Sequence, residues 1–177
     1  MSNKKEIKVL QDHAKLAAKH LGASSITFDN FPDNKMDTVS LLEVIKKIEN
    51  FIVLKKPDII FTHHSNDINI DHDVTQRAVL TAARSLPGSK ISEIYASEIL
   101  SSSEFGKPQF RLRPDCYFKV SNEDIDSAVK ALECYKSEIR TWPHPRSINA
   151  LKASFKLRGS ECGYEAAEVF EVLRIIN

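Results

Sequence analysis

No stretch of the sequence approaches the ~20 apolar residues that a membrane-spanning helix needs, and the opening Met1-Ser2-Asn3-Lys4-Lys5 leads into no apolar secretion signal. The expectation is a chain with no membrane partner. Cysteine is sparse: Cys116, Cys134 and Cys162 are far apart, odd in number and form no Cys-x-x-Cys pair. That argues against a disulfide framework and against a thiolate metal site, and fits a reducing, cytoplasmic setting. Charge of one sign is lacking too. The 25 Lys and Arg against 24 Asp and Glu leave a net charge of +1 with no long run of either sign, so the footprint of a nucleic-acid binder is missing. Internal repeats, low-complexity tracts and linkers are also absent. What remains is 177 residues, 42% of them hydrophobic, enough for one domain over 1–177 with a real core.

Ile7, Leu10, Ala14, Ala17 and Leu21 recur at helical spacing and Gly22 follows where a left-handed cap belongs. Ser25-Ile26-Thr27-Phe28 is short and β-prone, and Phe31-Pro32-Asp33-Asn34-Lys35 supplies turn residues. Ser40-Leu41-Leu42-Glu43 has the form of a capping box, opening a helix with Ile45, Ile48 and Ile52 on one face and Lys55-Lys56 before Pro57. Asp58-Ile59-Ile60-Phe61-Thr62 predicts a parallel strand buried on both faces. A third helix is expected from about Asp71 to Arg84, with Val74, Ala78 and Ala82 inward and Leu86-Pro87-Gly88 beyond it. Glu93 to Ser97 and Cys116 to Val120 predict strands. Ser121 predicts a cap for a helix using Ile125, Val129, Leu132 and Tyr135. A last helix is expected from Ser147 to Leu157, and Glu165 to Ile176 fits helix or edge strand. This order predicts an α/β, Rossmann-like layered fold with a mostly parallel sheet. Because such sheets usually open on the strand that becomes central, entry on a helix suggests that the first, central strand is missing.

Thr62-His63-His64-Ser65-Asn66-Asp67-Ile68-Asn69-Ile70-Asp71-His72 packs three histidines, two aspartates and two asparagines between a strand and a helix. This is the carboxyl end of a parallel strand, where open α/β sheets present their ligand crevice. His72 can offer an imidazole nitrogen to zinc, and Asp71, Asp67 or Asn69 could orient an imidazole or donate to an oxyanion. The structural alternative makes Asp71 a helix N-cap with His72 in the first turn. No His-x-x-His or His-x-x-x-His spacing completes a site locally. For His63 and His64 a place in the wall of the loop or at the edge of the core is a simpler reading than metal ligation. In Pro143-His144-Pro145-Arg146, His144 could serve as an acid or hydrogen-bond donor and Arg146 could hold an anionic or hydroxyl-rich substrate. The alternative there is a rigid turn with Arg146 paired to a carboxylate. Trp142 and Tyr164 suit sugar stacking or, more simply, buried packing.

Asn66-Asp67-Ile68-Asn69-Ile70-Asp71-His72 with Thr75 and Ala78 resembles the second motif of the PIG-L/LmbE family of zinc-dependent amide hydrolases. Ala17-Ala18-Lys19-His20-Leu21-Gly22 and Phe31-Pro32-Asp33-Asn34 resemble an earlier helix and strand-end loop of that family. Pro143-His144-Pro145-Arg146-Ser147 and Arg158-Gly159-Ser160 with Gly163, Ala167, Glu168 and Phe170 resemble its C-terminal signatures. These matches fall in order along nearly the whole chain.

The resemblance implies removal of an N-acetyl group from a glucosamine-containing sugar or conjugate, with an acetylated amino sugar as the partner. It implies zinc, which lowers the pKa of its bound water from about 15.7 to roughly 7 and polarises the amide oxygen. By the same resemblance His72 is a metal ligand, Asn69 lies near the reacting carbonyl where other members have a histidine, and Asp71 is a supporting carboxylate. The family's opening Ala-His-Pro-Asp-Asp-Glu loop, which carries two further ligands and the general base, has no counterpart here. The expectation is therefore weak zinc binding and no activity from this chain alone, with room for a homo-oligomer that covers exposed strands. A non-catalytic sugar-binding or scaffold protein derived from the same fold is the alternative.

Overall fold

The sheet is mixed. The structure, a computed structural model, describes residues 4–177, and its four strands lie in the order β1-β2-β4-β3. β1 (Ile59–His63) runs parallel to β2 (Glu93–Ser97), pairing Ile59 with Glu93 through His63 with Ser97. β2 is antiparallel to β4 (Ala167–Ile175), with an irregularity between Ile94 and Tyr95. Beside β4, bonds from Asp115 N to Phe170 O and from Val120 N to Ala166 O flank β3 (Cys116–Lys119) and run in the antiparallel sense. A mostly parallel sheet was the expectation; one ladder of the three is parallel. The reason is the C-terminal segment, left open between helix and strand, which returns along β2 as the nine-residue β4.

The helices are α1 (Lys4–His20), α2 (Leu41–Lys55), α3 (Ile70–Ala82), α4 (Asn122–Glu133) and α5 (Ile148–Cys162). Contacts divide the chain into two units. One takes the chain up to Asn30 together with Phe118–Glu168; the other is Phe31–Tyr117 with Val169–Asn177.

In the first unit α1 packs on α4, where His13 meets the Tyr135 ring edge-on with centroids 6.0 Å apart, and α4 packs on α5. Gly22 ends α1 as expected, in the left-handed region at φ 72°. Ala17 alone of the expected α1 face is fully buried, while Ile7, Leu10 and Leu21 are exposed. Ser121 caps α4 with a reciprocal Asp124 bond, a true capping box. Hydrogen bonding to Ser121, backbone and side chain, holds the exposed Asp124 carboxyl below its usual range. Ser147 caps α5, which passes through Arg158-Gly159 and stops only at Gly163. The predicted end at Leu157 was early because Gly159 serves packing, not termination. Ser25-Ile26-Thr27-Phe28 forms no strand; Ile26 and Phe28 are exposed. β propensity without a neighbour to pair with makes no strand.

In the second unit α2 packs on α3 through Val44, Ile45, Val74 and Ala78, with Phe31, Met36 and Leu41 at the edge. Val79, Ala83, Ile91 and Ile94 form a second cluster with Ile60 and Leu173. Together these place α3 against β1, and so fix the loop between them. Ser40 stands at the start of α2, yet its side chain makes no cap bond. Lys56 ends α2 in the left-handed conformation. The largest departure concerns β1. Expected to be buried on both faces, it lies at the sheet's edge with Ile59 44% and Phe61 52% exposed, the Phe61 ring resting on Tyr95 and Phe170. Among the described residues no strand pairs with its outer side.

Candidate functional site

The carboxyl end of β1 and the amino end of α3 are joined by a loop whose polar side chains bond to one another. Asn69, not Asp71, is the N-cap of α3: its side chain accepts from Asp71 N at 2.9 Å. Asp71 is thereby free to reach back to an earlier loop, where its carboxylate accepts from Asn34 N at 2.7 Å and Met36 N at 2.9 Å. It fastens residues 34–36 to the start of α3. The carboxylate at the His72 ring is Asp67, whose Oδ2 lies 2.5 Å from Nδ1. The Asp67 side chain is 0% exposed, and its other oxygen accepts from Asn69 N at 2.7 Å.

This pairing fixes the chemistry of the ring. A buried carboxylate against Nδ1 keeps the proton there and leaves Nε2 as the free lone pair, the arrangement in which a histidine is oriented for a ligand. On one face His72 is stacked by His63, with centroids 4.3 Å apart and planes 7° off parallel. Gln76 Nε2 donates to the His63 carbonyl at 3.1 Å, tying the end of β1 to α3. His64 is buried and its Nδ1 lies 3.1 Å from Glu171 Oε2 on β4. Both histidines thus line the loop beside His72.

Burial pushes the His63 pKa below the ordinary 6.5, the neighbouring His72 pushes it further, and Asp67 opposes. Its Nδ1 is buried without a hydrogen-bond partner among the described residues. Below the ordinary value the unfolded chain binds a proton that the folded His63 resists. Stability is thus full above about pH 6.5 and is lost as the pH falls through the lowered folded value. Urea unfolding at about pH 7.5 and about pH 5.5 is expected to show a smaller acid loss for His63→Gln than for the native chain. Equal losses would remove His63 as the source.

His144 and Arg146 belong to the other unit. There His144 Nδ1 accepts from Arg146 N at 3.0 Å, Arg146 O accepts from Arg140 N, and Arg146 Nη1 pairs with Glu138 Oε2 at 2.5 Å. The Trp142-Pro143 bond is cis. These are the contacts of the rigid-turn alternative, with Arg146 held by a carboxylate. Buried packing for Trp142 and Tyr164 is corrected: both are exposed, Tyr164 under the Lys119 ammonium at 5.5 Å.

The model of the PIG-L family, described as GlcNAc-PI de-N-acetylase, matches residues 2–83, a span that includes Asn66 to His72. Over that span the chain is similar to the PIG-L family. No curated protein matches it. Among solved structures, the conserved protein TT1542 of Thermus thermophilus superposes with TM-score 0.73 at 19% identity, covering 100% of this chain and 76% of that one. The N,N'-diacetylchitobiose deacetylase of Pyrococcus horikoshii gives 0.72 at 15%, covering 96% and 65%. A deacetylase of the teicoplanin biosynthetic pathway gives 0.67 at 16%, covering 98% and 73%. At such identities these likenesses speak for a common fold, and the chain spans about two thirds to three quarters of each.

Whether this chain can hold a metal turns on its donors. His72 offers one lone pair, both Asp67 oxygens are engaged, and Asp71 is spent on backbone amides. Among the described residues no group of three or more His, Cys, Asp or Glu side chains could hold an ion. The donors do not fit a zinc site, which takes four protein ligands where it is structural and three with a water where it is catalytic. Among the described residues no helix is long and apolar enough to cross a membrane.

Proposed function

We propose that this chain carries the fold and one metal-ligand histidine of a PIG-L-type hydrolase that removes an N-acetyl group from a glucosamine-containing sugar or conjugate, and that on its own it is inactive. The observation that carries the reading is the His72 ring, oriented through Nδ1 by the buried Asp67 at the carboxyl end of β1, within the residues matched by the family model. When bound, zinc would supply a water ionised near neutral pH and a charge on the amide oxygen. The chain's own residues do less. Asp67 holds a proton on Nδ1, Asn69 and Asp71 fix the start of α3, and His63 shields one face of the ring. Asn69 is left near the reacting carbonyl only through atoms not already used for capping. His144 and Arg146 remain candidates for a proton donor and a substrate hydroxyl contact.

The exposed outer edge of β1 supports a site completed by a further strand. Ile59 and Phe61 have the composition of an interior strand and the exposure of an edge. A strand laid parallel to β1 would bring the residues that follow it beside His72. The test is a fusion that places a strand and an Ala-His-Pro-Asp-Asp-Glu loop before Met1, assayed with zinc for amine release from N,N'-diacetylchitobiose. Turnover by the fusion and none by the chain alone is the expected result, with zinc lost from the unfused chain on dialysis. One zinc held tightly by the unfused chain would refute the ligand count. Saturable sugar binding by both proteins with amine release from neither would favour the second reading, a sugar-binding scaffold, which rests on the incomplete donor set.

A further inference from the structure

Between β2 and β3 the chain makes a folded loop over residues 98–106. Ser103 Oγ accepts from Ile99 N at 2.8 Å, and Ile99 O accepts from Ser102 N and Ser103 N. Ser101 stands in the left-handed region at φ 73°. A short helical turn at Ser103–Phe105 then delivers Gly106, whose N–H donates to Ser103 O at 3.3 Å. Gly106 has an ordinary extended backbone, φ −65° and ψ 172°, which any residue adopts, so conformation does not call for glycine here. Space does. A Cβ on Gly106 would lie 2.3 Å from Asn66 O, 3.1 Å from Asp67 Cα and 3.3 Å from Asn66 C. All three are backbone atoms, and none can rotate aside.

The loop therefore presses on the peptide that carries Asp67. That residue has one carboxylate oxygen on His72 Nδ1 and the other on Asn69 N. We infer that Gly106 is a positioning residue for His72, acting through the backbone of Asn66 and Asp67 to keep the Asp67 carboxylate on the ring. The contact is long-range in sequence and touches no reacting atom. Its value for metal binding rests on the reading of His72 given above, but the geometry is a property of the metal-free protein. Moving the Asn66-Asp67 backbone by even a few tenths of an ångström lengthens a bond that sits at hydrogen-bond contact. The ring then loses the acceptor that selects its tautomer.

The experiment is nitrogen-15 NMR of the His72 imidazole in the metal-free chain, where protonated and bare ring nitrogens have well-separated shifts. The native protein is expected to show Nδ1 protonated and Nε2 bare. Gly106→Ala is expected to convert that single form to a mixture containing the Nε2–H tautomer, whereas Glu104→Ala, on an exposed side chain of the same loop, leaves it unchanged. A folded Gly106→Ala protein with the native tautomer would overturn the inference. Should Gly106→Ala fail to fold, Ser103→Ala loosens the loop without adding an atom. It is expected to give a smaller shift the same way, and no shift would overturn the inference equally. Because neither zinc nor sugar enters this measurement, its failure and that of the deacetylase reading are separate outcomes.

Discussion

Replacing His72 by alanine in the fused protein is expected to abolish amine release, while Asp67→Asn leaves a reduced but measurable rate. The two substitutions act on one ring in different ways. Alanine removes the imidazole lone pair that Asp67 orients. Asparagine keeps the shape of the side chain and loses its charge, so Nδ1–H meets a weaker acceptor and the ring a less decided tautomer. Losing such a supporting partner typically costs about 10–100-fold in metal affinity or activity. Losing the ligand itself must exceed that, since an ion left with fewer protein donors remains largely hydrated and exchangeable. Zinc content after dialysis should follow the same order, with the His72→Ala fusion lowest. A His72→Ala fusion that retained activity within about 10-fold would place the chemistry elsewhere, and the deacetylase reading would go with it. Asn69→Ala serves as a comparison: because Asn69 caps α3, its loss should cost about 1 kcal/mol of stability whatever it does to rate.

The parts of this fold legible in the sequence are those set by local pattern. Helical spacing, Gly22, Ser121 and Ser147 located α1, α4 and α5, because a cap bond or a left-handed glycine depends on residues a few positions away. The loop at the carboxyl end of β1 stood out for the same reason: its polar density is local, and so are most of its bonds. What failed depends on distant partners. Ser25-Ile26-Thr27-Phe28 has strand composition and no strand beside it; β1 has interior composition and an edge position. The direction of β4 is decided by its return along β2, which alternation cannot reveal. At the site, Asp67 was one of three candidates for the His72 partner, and the choice among them depends on Asp71 being drawn away to Asn34 and Met36, over 30 residues upstream. Gly106 carried no signal. A glycine required for space under an ordinary backbone looks like any other loop glycine until the opposing chain is in place.

Gly159→Ala is expected to destabilise the chain by roughly 3 kcal/mol or more, although Gly159 sits within a helix, where alanine is ordinarily preferred by ~1 kcal/mol. The sign is decided by what lies over the helix. α5 ends at Gly163, the chain reverses, and the 164–166 segment returns across Gly159, whose carbonyl accepts from Tyr164 N at 3.0 Å. A Cβ at Gly159 would stand 2.6 Å from Ala166 Cα, Ala166 N and Tyr164 O. These are backbone atoms immediately before the buried Ala167 of β4, so relief requires moving the start of a strand. Gly163 provides the contrast. It adopts φ 82°, and a Cβ there would meet nothing within 4 Å, so Gly163→Ala bears only the left-handed strain of about 1 kcal/mol. Urea midpoints should therefore fall in the order native, Gly163→Ala, Gly159→Ala, with the last near the margin of ~5–15 kcal/mol that holds a domain folded. The two glycines of one sequence signature would then be present for different reasons, one for the turn and one for the close approach. If Gly159→Ala instead raised the midpoint, the helix would be free of the returning segment and the packing described for this unit would be wrong.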